Sequence, residues 1–414
     1  MKTVQTVQKS LTMTFKGFFN IIFTAMLLLL SPLSAQTPER VLNGIDMLRE
    51  QKFSLLAGKR VGLITNHTGL AIDGASTIDL FFKTDICKLT ALFSPEHGIR
   101  GTEDEKVDSS VDKNTGLHVY SLYGETRKPT SEMLRGIDTL VFDIQDIGAR
   151  FYTYVTTMAY AMEAAANAGI PFYVLDRPNP IGGLKIEGPM LDADKTSFTG
   201  YMPMPVRHGM TAGELARYFN AEKRIGAKLE VIAMKGWRRA YMFWDTEQIW
   251  INPSPNMRSV TAAILYPGVC LLEQTNVSVG RGTDKPFETV GAPWIQPDRF
   301  IKLLREAGIP GVEFVPLFFK PDSSRHKDAR CGGVNIIVTE PEKLNSVALG
   351  LTMISVLNKL YPVEFTIDRV QDLLGNDEVM QNLKNGKTPS EENWKKNPFF
   401  IHFISARQSA LIYN

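Results

Sequence analysis

Short, largely apolar runs alternate with helical patterns over the first half of the chain. The apolar runs are VGLIT (61–65), LTALF (89–93), HVYSLY (118–123), TLVFDI (139–144) and PFYVLD (171–176). Between them, apolar positions spaced three and four residues apart predict helices over 75–82, 130–134 and 154–168. Apolar strands of this kind are typical of a parallel sheet covered by helices on both faces. The pattern therefore predicts an α/β fold, a Rossmann-like doubly wound parallel sheet.

The pattern changes after residue 176. Thr211 and Glu214 have the spacing of a capped helix start, and LEVIAM (229–234) indicates another strand. Residues 275–294 have no apolar periodicity, and a stretch that long without regular structure is more often functional than idle. A second, smaller α+β unit follows, with helices predicted at 297–307 and 344–360 and strands at 312–319 and 333–338.

The first 35 residues have the pattern of a secretory signal peptide. Basic residues (Lys2, Lys9 and Lys16) precede the apolar run 18–30, and Leu33-Ser34-Ala35 offers small residues for cleavage. The run is shorter than the roughly 18 to 20 residues of a spanning helix, so no stable membrane insertion is expected after cleavage. We expect a periplasmic or secreted bacterial protein: signal peptide 1–35, a Rossmann-like catalytic domain 36–265, and a C-terminal α+β domain 266–414.

Composition narrows the class of ligand. A net charge of +2 gives no electrostatic reason for a nucleic-acid partner. Cys87, Cys270 and Cys331 are odd in number and lack CxxC spacing, which favours buried free thiols over a zinc site. Neither GxGxxG in the first strand-to-helix loop nor GxxxxGK[ST] anywhere is present, so no nucleotide and no other cofactor is expected.

Polar side chains collect where the predicted strands end. In an open parallel sheet, ligands bind outside the carboxyl ends of the strands. The residues at those ends are Asn66, His67, Glu96, His97, Tyr123, Asp143, Gln145, Asp146, Arg150, Asp176, Arg177 and Asn179.

Glu96 and His97 are the first catalytic candidates. Phe93 and Pro95 partly shield the Glu96 carboxyl from water, which disfavours its charged form. A carboxyl that keeps its proton near neutral pH can act as a general acid. The alternative is that Glu96 pairs with Arg100 or caps the following turn.

Asp143 and Asp146 are candidates for a second catalytic carboxyl. Asp143 closes an apolar run, where a charge is costly unless it is paired, and Arg150 or Arg177 could pair with it. A carboxyl opposite Glu96 would complete the pair that glycoside hydrolysis usually requires. Asp146 alone is better explained as the cap of the next helix.

A metal site would use the same groups. His67, Glu96, His97, Asp143 and Asp146 are ligand types that suit zinc or manganese, but no two histidines have HxxxH or HxH spacing. We therefore expect no metal, and a metal-dependent hydrolase at these strand ends stays an alternative.

Arginines and asparagines in polar loops predict an acidic, hydroxyl-rich ligand. A planar guanidinium can bind a carboxylate through two hydrogen bonds. Aromatic residues near 237–250 could stack on sugar rings, although packing in the core is their commoner use. The loop candidates are Arg150, Arg207, Arg258, Arg281, Asn252, Asn256 and Asn276.

Long motifs in the chain resemble the exo-β-N-acetylmuramidases of glycoside hydrolase family 171. The motifs are SPEHGIRG (94–101), VDSSVDKNTGL (107–117), VFDIQDIGARFYTY (141–154), LDRPNPIGG (175–183), VRHGMTAGELA (206–216), NPSPNMRS (252–259), YPGVCLLEQTNVSVGRGTDKPFE (266–288) and GAPW (291–294). The resemblance implies release of N-acetylmuramic acid from the non-reducing end of peptidoglycan fragments, in a cleft between the two domains. The family's catalytic glutamate maps onto Glu96, and His97 would tune or orient it.

That substrate agrees with the loop arginines. N-Acetylmuramic acid carries a lactyl carboxylate, and we expect Arg281 or Arg258 to bind it because their glycine and asparagine neighbours allow close approach. A non-catalytic cell-wall sugar-binding protein is the third hypothesis, since two α/β units can close on a ligand without chemistry. The sequence predicts neither the stereochemical outcome nor the oligomeric state.

Overall fold

A seven-stranded sheet organises the first half of the computed structural model, which describes residues 40–100, 108–387 and 391–414. Its strand order is β3-β4-β2-β1-β5-β6-β9, and all neighbours are parallel except β3 and β4. The strands of the described residues are β1 Arg60–Thr65, β2 Lys88–Ser94, β3 Ser110–Val111, β4 His118–Ser121, β5 Thr139–Asp143, β6 Phe172–Leu175, β7 Glu187–Met190, β8 Pro205–Arg207, β9 Leu229–Ile232, β10 Thr289–Ala292, β11 Val312–Phe319 and β12 Cys331–Val338.

Helices cover this sheet on both faces. On β5, Leu140 and Phe142 join the core cluster that contains α3, whereas Val141 joins the cluster on the opposite face. This alternation is what a strand buried on both sides requires, and the predicted doubly wound α/β fold is confirmed. The helices are α1 Gly44–Glu50, α2 Thr77–Lys83, α3 Tyr154–Ala168, α4 Ala212–Glu222, α5 Val260–Glu273, α6 Pro297–Glu306, α7 Ser346–Leu360, α8 Gln371–Leu374, α9 Asp377–Lys384, α10 Glu391–Lys395 and α11 Pro398–Ala410.

Local signals explain the helix ends that the sequence predicts well. Helix α3 stops at Gly169, which has a left-handed φ of 71° and donates its N–H to the last turn. Helix α4 begins at the predicted capping box, in which the Thr211 side chain accepts from the N–H of Glu214.

Two predicted elements are wrong. Residues 131–136 form a turn and not a helix over 130–134. Gly136, with a φ of 80°, ends this segment too early for a helix to propagate beyond its costly first turn. The stretch 275–294, predicted to lack regular structure, contains β10, which pairs with β12.

The smaller unit contains an antiparallel sheet of order β10-β12-β11 within the described residues, and α6 packs against β11 and β12. Gly268 of α5 and Gly350 of α7 allow the two helices to approach at backbone distance. A Cβ on Gly268 would lie 1.7 Å from the carbonyl oxygen of Ser346. Helix α5 spans residue 265, where the sequence places a boundary, and Arg40–Asn414 clusters as one compact unit. The division into domains at that residue stays a prediction.

The remaining expectations about the chain fall partly outside the described residues. The predicted signal peptide, 1–35, lies outside them, as do Gly101 and Val107 at the edges of two motifs. In the part of the chain that is described, no helix is long and apolar enough to cross a membrane. Cys87, Cys270 and Cys331 are buried free thiols, as expected.

Candidate active site

Strand β2 delivers Glu96 and His97 to the carboxyl edge of the sheet. The strand is buried up to Ser94, and after Pro95 the chain turns, with the N–H of Gly98 donating to the carbonyl oxygen of Pro95 at 3.1 Å. His97 has a left-handed φ of 69°, which a residue with a Cβ adopts at a cost. Backbone strain of this kind concentrates at functional sites, where the surrounding structure holds it.

The turn opens into a cavity of about 650 Å³. A volume of this size suits one or two sugar rings, since ligand pockets commonly span about 300 to 1,000 Å³. Its walls come from both halves of the chain: the β2 turn, residues 151–154 after β5, residues 254–258, helix α5 with the loop behind it, and residues 323–324.

Neutral hydroxyls hold the Glu96 carboxyl in this wall. The Thr153 hydroxyl donates to Oε2 of Glu96. The Tyr123 hydroxyl also hydrogen-bonds the Glu96 side chain, and burial together with the charge of Glu96 raises the pKa of Tyr123 to about 12. Glu96 therefore has a fixed orientation and no arginine or lysine among these partners. The predicted alternative, an ion pair between Glu96 and Arg100, is not present among the described residues. Arg100 instead pairs with Asp112 at 3.0 Å.

Two tyrosines form the cavity wall behind Glu96. The Tyr154 hydroxyl donates to the carbonyl oxygen of Pro253 at 2.5 Å, which anchors the 252–258 segment on α3. Burial raises the pKa of both Tyr152 and Tyr154, and the negative charge of Glu96 adds to each increase. Both phenols therefore stay protonated, and the proton of Tyr154 is donated to Pro253.

Asn66 and His67 support this wall and do not line the cavity. Oδ1 of Asn66 accepts from the N–H and the hydroxyl of Thr68, at 2.9 and 2.6 Å. Nε2 of His67 lies 2.7 Å from the carbonyl oxygen of Asn252. Burial lowers the pKa of His67, and the charge of nearby His97 lowers it further. The structure thus places His67 beside the turn after β2, where it holds the 252–258 segment.

Asp143 is fully buried in an ion pair with Arg177. Nε of Arg177 donates to Oδ1 at 2.6 Å, Nη2 donates to Oδ2 at 3.0 Å, and the Thr77 hydroxyl donates to Oδ2 at 2.5 Å. Arg177, one of the two predicted partners, thus neutralises this carboxylate. Asp143 is absent from the described cavity wall, and its contacts are those of a structural residue.

Asp146 is also buried behind the wall. Its Oδ2 accepts from the N–H of Gly148 at 2.8 Å. The prediction that Asp146 caps the next helix is wrong, because α3 begins only at Tyr154. Burial raises the pKa of Asp146 to about 7. Nε2 of His208 lies 3.8 Å from Oδ2, and burial lowers the pKa of His208 to about 3, so this histidine is neutral.

Three of the predicted loop residues tie the fold together instead of facing the cavity. The guanidinium of Arg150 donates to the carbonyl oxygens of Met204 and Leu373, at 2.8 and 2.7 Å. Arg207 forms a buried pair with Glu187 at 2.6 Å. The Asn276 side chain bonds the backbone of residues 364 and 366, at 2.6 and 3.0 Å.

The cavity does include Asn256, Arg258 and Arg281 from the predicted set. Arg258 is exposed, and its guanidinium donates to the carbonyl oxygens of Pro255 and Thr283, at 3.2 and 3.1 Å. Arg281 is instead paired with Glu273. Burial lowers the pKa of Arg281, but the Glu273 carboxylate raises it by more, so the net shift is upward. Asn252 is not among the described wall residues, and its backbone carbonyl oxygen contacts His67.

A smaller cavity of about 210 Å³ lies near the ends of β1 and β5, with Thr68, Gln145, Arg177 and Trp250 among its walls. Glu96 is not among the described residues of its wall. Within residues 40–100, 108–387 and 391–414, no group of three or more His, Cys, Asp or Glu side chains is arranged to hold a metal ion.

The members of the cavity wall that sequence reasoning missed include Thr153, Tyr152 and Glu273. Thr153 and Tyr152 lie in the motif VFDIQDIGARFYTY, just after the strand end that drew attention to Asp143. Glu273 ends a helix whose pattern was not recognised, so its position beside the cavity could not be seen.

Comparisons with known proteins identify the family of this chain. The family model described as "Exo-beta-N-acetylmuramidase NamZ, N-terminal" matches residues 61–261, and its C-terminal counterpart matches residues 264–413. A peptidoglycan β-N-acetylmuramidase NamZ of Bacillus subtilis (strain 168) is 45% identical over 379 residues, which cover 90% of this chain and 92% of that protein.

Solved structures show the same fold. The crystal structure of a DUF1343 family protein from Bacteroides fragilis NCTC 9343 matches with a TM-score of 0.79 at 38% identity. A second DUF1343 family protein of that organism matches with a TM-score of 0.75 at 30% identity. Each match covers 91% of this chain and 99% of the other.

Proposed function

The chain belongs to the exo-β-N-acetylmuramidase NamZ family, and from this premise we propose that it releases N-acetylmuramic acid from the non-reducing end of peptidoglycan fragments. It is a glycoside hydrolase on this account. The observation that carries the proposal is the cavity of about 650 Å³ at the carboxyl edge of the sheet, with Glu96 in its wall. Its volume and polar lining suit a terminal sugar.

Glu96 is the general acid in this proposal. The Thr153 hydroxyl donates to Oε2 and the Tyr123 hydroxyl also bonds the carboxyl, and together they orient Glu96 in the cavity wall. Proton donation to the leaving oxygen by a positioned carboxyl is worth about 10²- to 10⁴-fold in rate. His97, in its left-handed turn, fixes the backbone on which Glu96 is presented.

Arg258 binds the lactyl carboxylate in the same proposal. The sequence left Arg258 and Arg281 as equal candidates. Arg281 already has a carboxylate partner in Glu273, whereas the hydrogen bonds of Arg258 go to neutral carbonyls. A guanidinium with an uncompensated charge attracts a substrate carboxylate more strongly than one that is paired.

The proposal extends to location and domain organisation. The signal-peptide pattern of residues 1–35 supports export to the compartment that contains peptidoglycan, and N-terminal sequencing of the mature protein should begin at Gln36. With a division near residue 265, both parts of the chain contribute to the cavity wall. Glu96 and Thr153 lie before this residue, and Tyr266 and Ser323 lie after it.

The test uses the disaccharide of N-acetylmuramic acid linked β-1,4 to N-acetylglucosamine. Purified protein should release free N-acetylmuramic acid, and Glu96→Gln should lose about 10²-fold or more in turnover with an unchanged melting temperature. Binding of the disaccharide without release would indicate a sugar-binding protein. Loss of turnover on addition of a chelator would indicate a metal-dependent hydrolase and contradict the proposal.

A further inference from the structure

The cavity wall contains a second carboxylate, Glu273, at the last residue of α5. We propose that Glu273 is the catalytic partner of Glu96 and acts as the base that takes a proton from the attacking water. The inference rests on the proposed function and names the group that completes its site. Among the described wall residues, Glu96 and Glu273 are the two carboxyls.

The two carboxyls have opposite surroundings. Glu96 is held by the neutral hydroxyls of Thr153 and Tyr123. Glu273 is paired with the guanidinium of Arg281: Nη2 donates to Oε2 at 3.3 Å, and Nε lies in ion-pair contact with Oε1. Hydroxyls thus orient Glu96, and the Arg281 guanidinium orients Glu273, at two places in one cavity wall. Two separate carboxyls in one cavity wall are the arrangement that glycoside hydrolysis commonly uses.

The position of Glu273 on its helix supports a functional role. A carboxylate in the last turn of a helix faces the negative end of the helix dipole, which is unfavourable. No basic residue lies in the last turn of α5, and the compensating Arg281 comes from the loop that follows. An acidic residue here does not stabilise the helix through its dipole, and its partner is Arg281 in the wall of the same cavity.

Neighbouring groups in the cavity respond to this charge. Burial raises the pKa of Tyr266 and of Cys270, and the negative charge of Glu273 adds to both increases. Sγ of Cys270 lies 3.6 Å from Oε2 of Glu273. The carboxylate is therefore embedded in the wall and is not a mobile surface group.

The proposed step balances without a cofactor. Glu273 takes a proton from water, and the water oxygen forms a bond to the anomeric carbon of the muramic acid. The bond from that carbon to the leaving oxygen breaks, its electron pair goes to the leaving oxygen, and Glu96 supplies the proton there. Glu96 ends ionised and Glu273 neutral, and proton exchange with solvent restores both. Because water displaces the leaving group directly, a β-linked substrate gives the α-anomer first.

The test compares Glu273→Gln with Glu96→Gln on two substrates: the disaccharide and a 4-nitrophenyl glycoside of N-acetylmuramic acid. A nitrophenolate leaves without a proton. The activity of Glu96→Gln relative to the wild type should therefore be at least about tenfold higher on the second substrate than on the disaccharide. Glu273→Gln should lose about 10²-fold or more on both substrates, and the acidic limb of its pH profile for kcat/KM should disappear. Glu340→Gln, which removes an exposed carboxylate paired with Lys343, is the matched control and should behave as the wild type.

A second measurement needs no variant. Proton NMR of the unaltered enzyme during turnover should show the α-anomer of N-acetylmuramic acid before it equilibrates. Formation of the β-anomer first, or activity of Glu273→Gln within about threefold of the wild type, would overturn the inference. If the wild type releases no N-acetylmuramic acid, or Glu96→Gln stays active, the proposed function itself fails.

Discussion

Replacing Asp146 by asparagine should make the protein more stable at alkaline pH. The pKa of about 7 for this buried carboxyl, in place of 3.8, means that its ionised form is disfavoured in the native state. At roughly 1.4 kcal/mol per pKa unit, the difference corresponds to about 4 kcal/mol. Because the native pKa is raised, this cost is almost absent below pH 4 and grows until the pH has passed 7. An amide oxygen in Asp146→Asn can still accept from the N–H of Gly148.

Urea unfolding followed by tryptophan fluorescence at pH 5 and pH 8 measures this effect. Asp146→Asn should gain free energy of unfolding over the wild type, and the gain should be larger at pH 8. Asp138→Asn is a suitable comparison, because the hydrogen bond from Arg60 lowers the pKa of this exposed carboxyl to about 2, and its removal should give no such gain. A difference that does not grow with pH would refute the reasoning. Loss of turnover in folded Asp146→Asn would return Asp146 to the catalytic residues.

Three further variants test the fold and the site. Gly268→Ala should destabilise the protein by about 2 kcal/mol or more in thermal unfolding, since its Cβ would overlap the backbone of Ser346; unchanged stability would contradict the close helix crossing. Arg177→Met should cost about 3 to 5 kcal/mol by leaving Asp143 buried without its partner, and a loss below about 1 kcal/mol would show that water reaches this carboxylate. Arg258→Ala should raise KM for the muramic-acid disaccharide and leave hydrolysis of an analogue without the lactyl group unchanged, whereas equal losses on both would exclude lactyl recognition.

The sequence predicts the central strands of the sheet well because β1, β2, β5 and β6 are largely buried and stand out as apolar runs. Helix α3 is predicted to the residue because Gly169 supplies a local stop signal. Helix α5 was missed for a physical reason: it is buried almost all round and so lacks a polar face, and it contains Pro267. Without α5, neither its crossing with α7 nor the position of Glu273 could be foreseen.

The candidate site was predicted in its location but not in its membership. The rule that ligands bind at the carboxyl ends of parallel strands led to Glu96 and His97, which line the cavity. The same rule also selected Asp143, because it does not distinguish a carboxylate that faces ligand from one that faces Arg177. Which of two side chains at a strand end points into a cavity depends on packing between distant segments, and a single sequence does not show that packing.

The central claim is that Glu96 donates a proton to the glycosidic oxygen. A crystal structure of Glu96→Gln with the uncleaved disaccharide tests it most directly. The account predicts the muramic-acid ring in the cavity of about 650 Å³, with the glycosidic oxygen about 2.6 to 3.2 Å from the side chain at position 96. A disaccharide bound in the smaller cavity beside Gln145 and Trp250, or a glycosidic oxygen beyond reach of position 96, would contradict it.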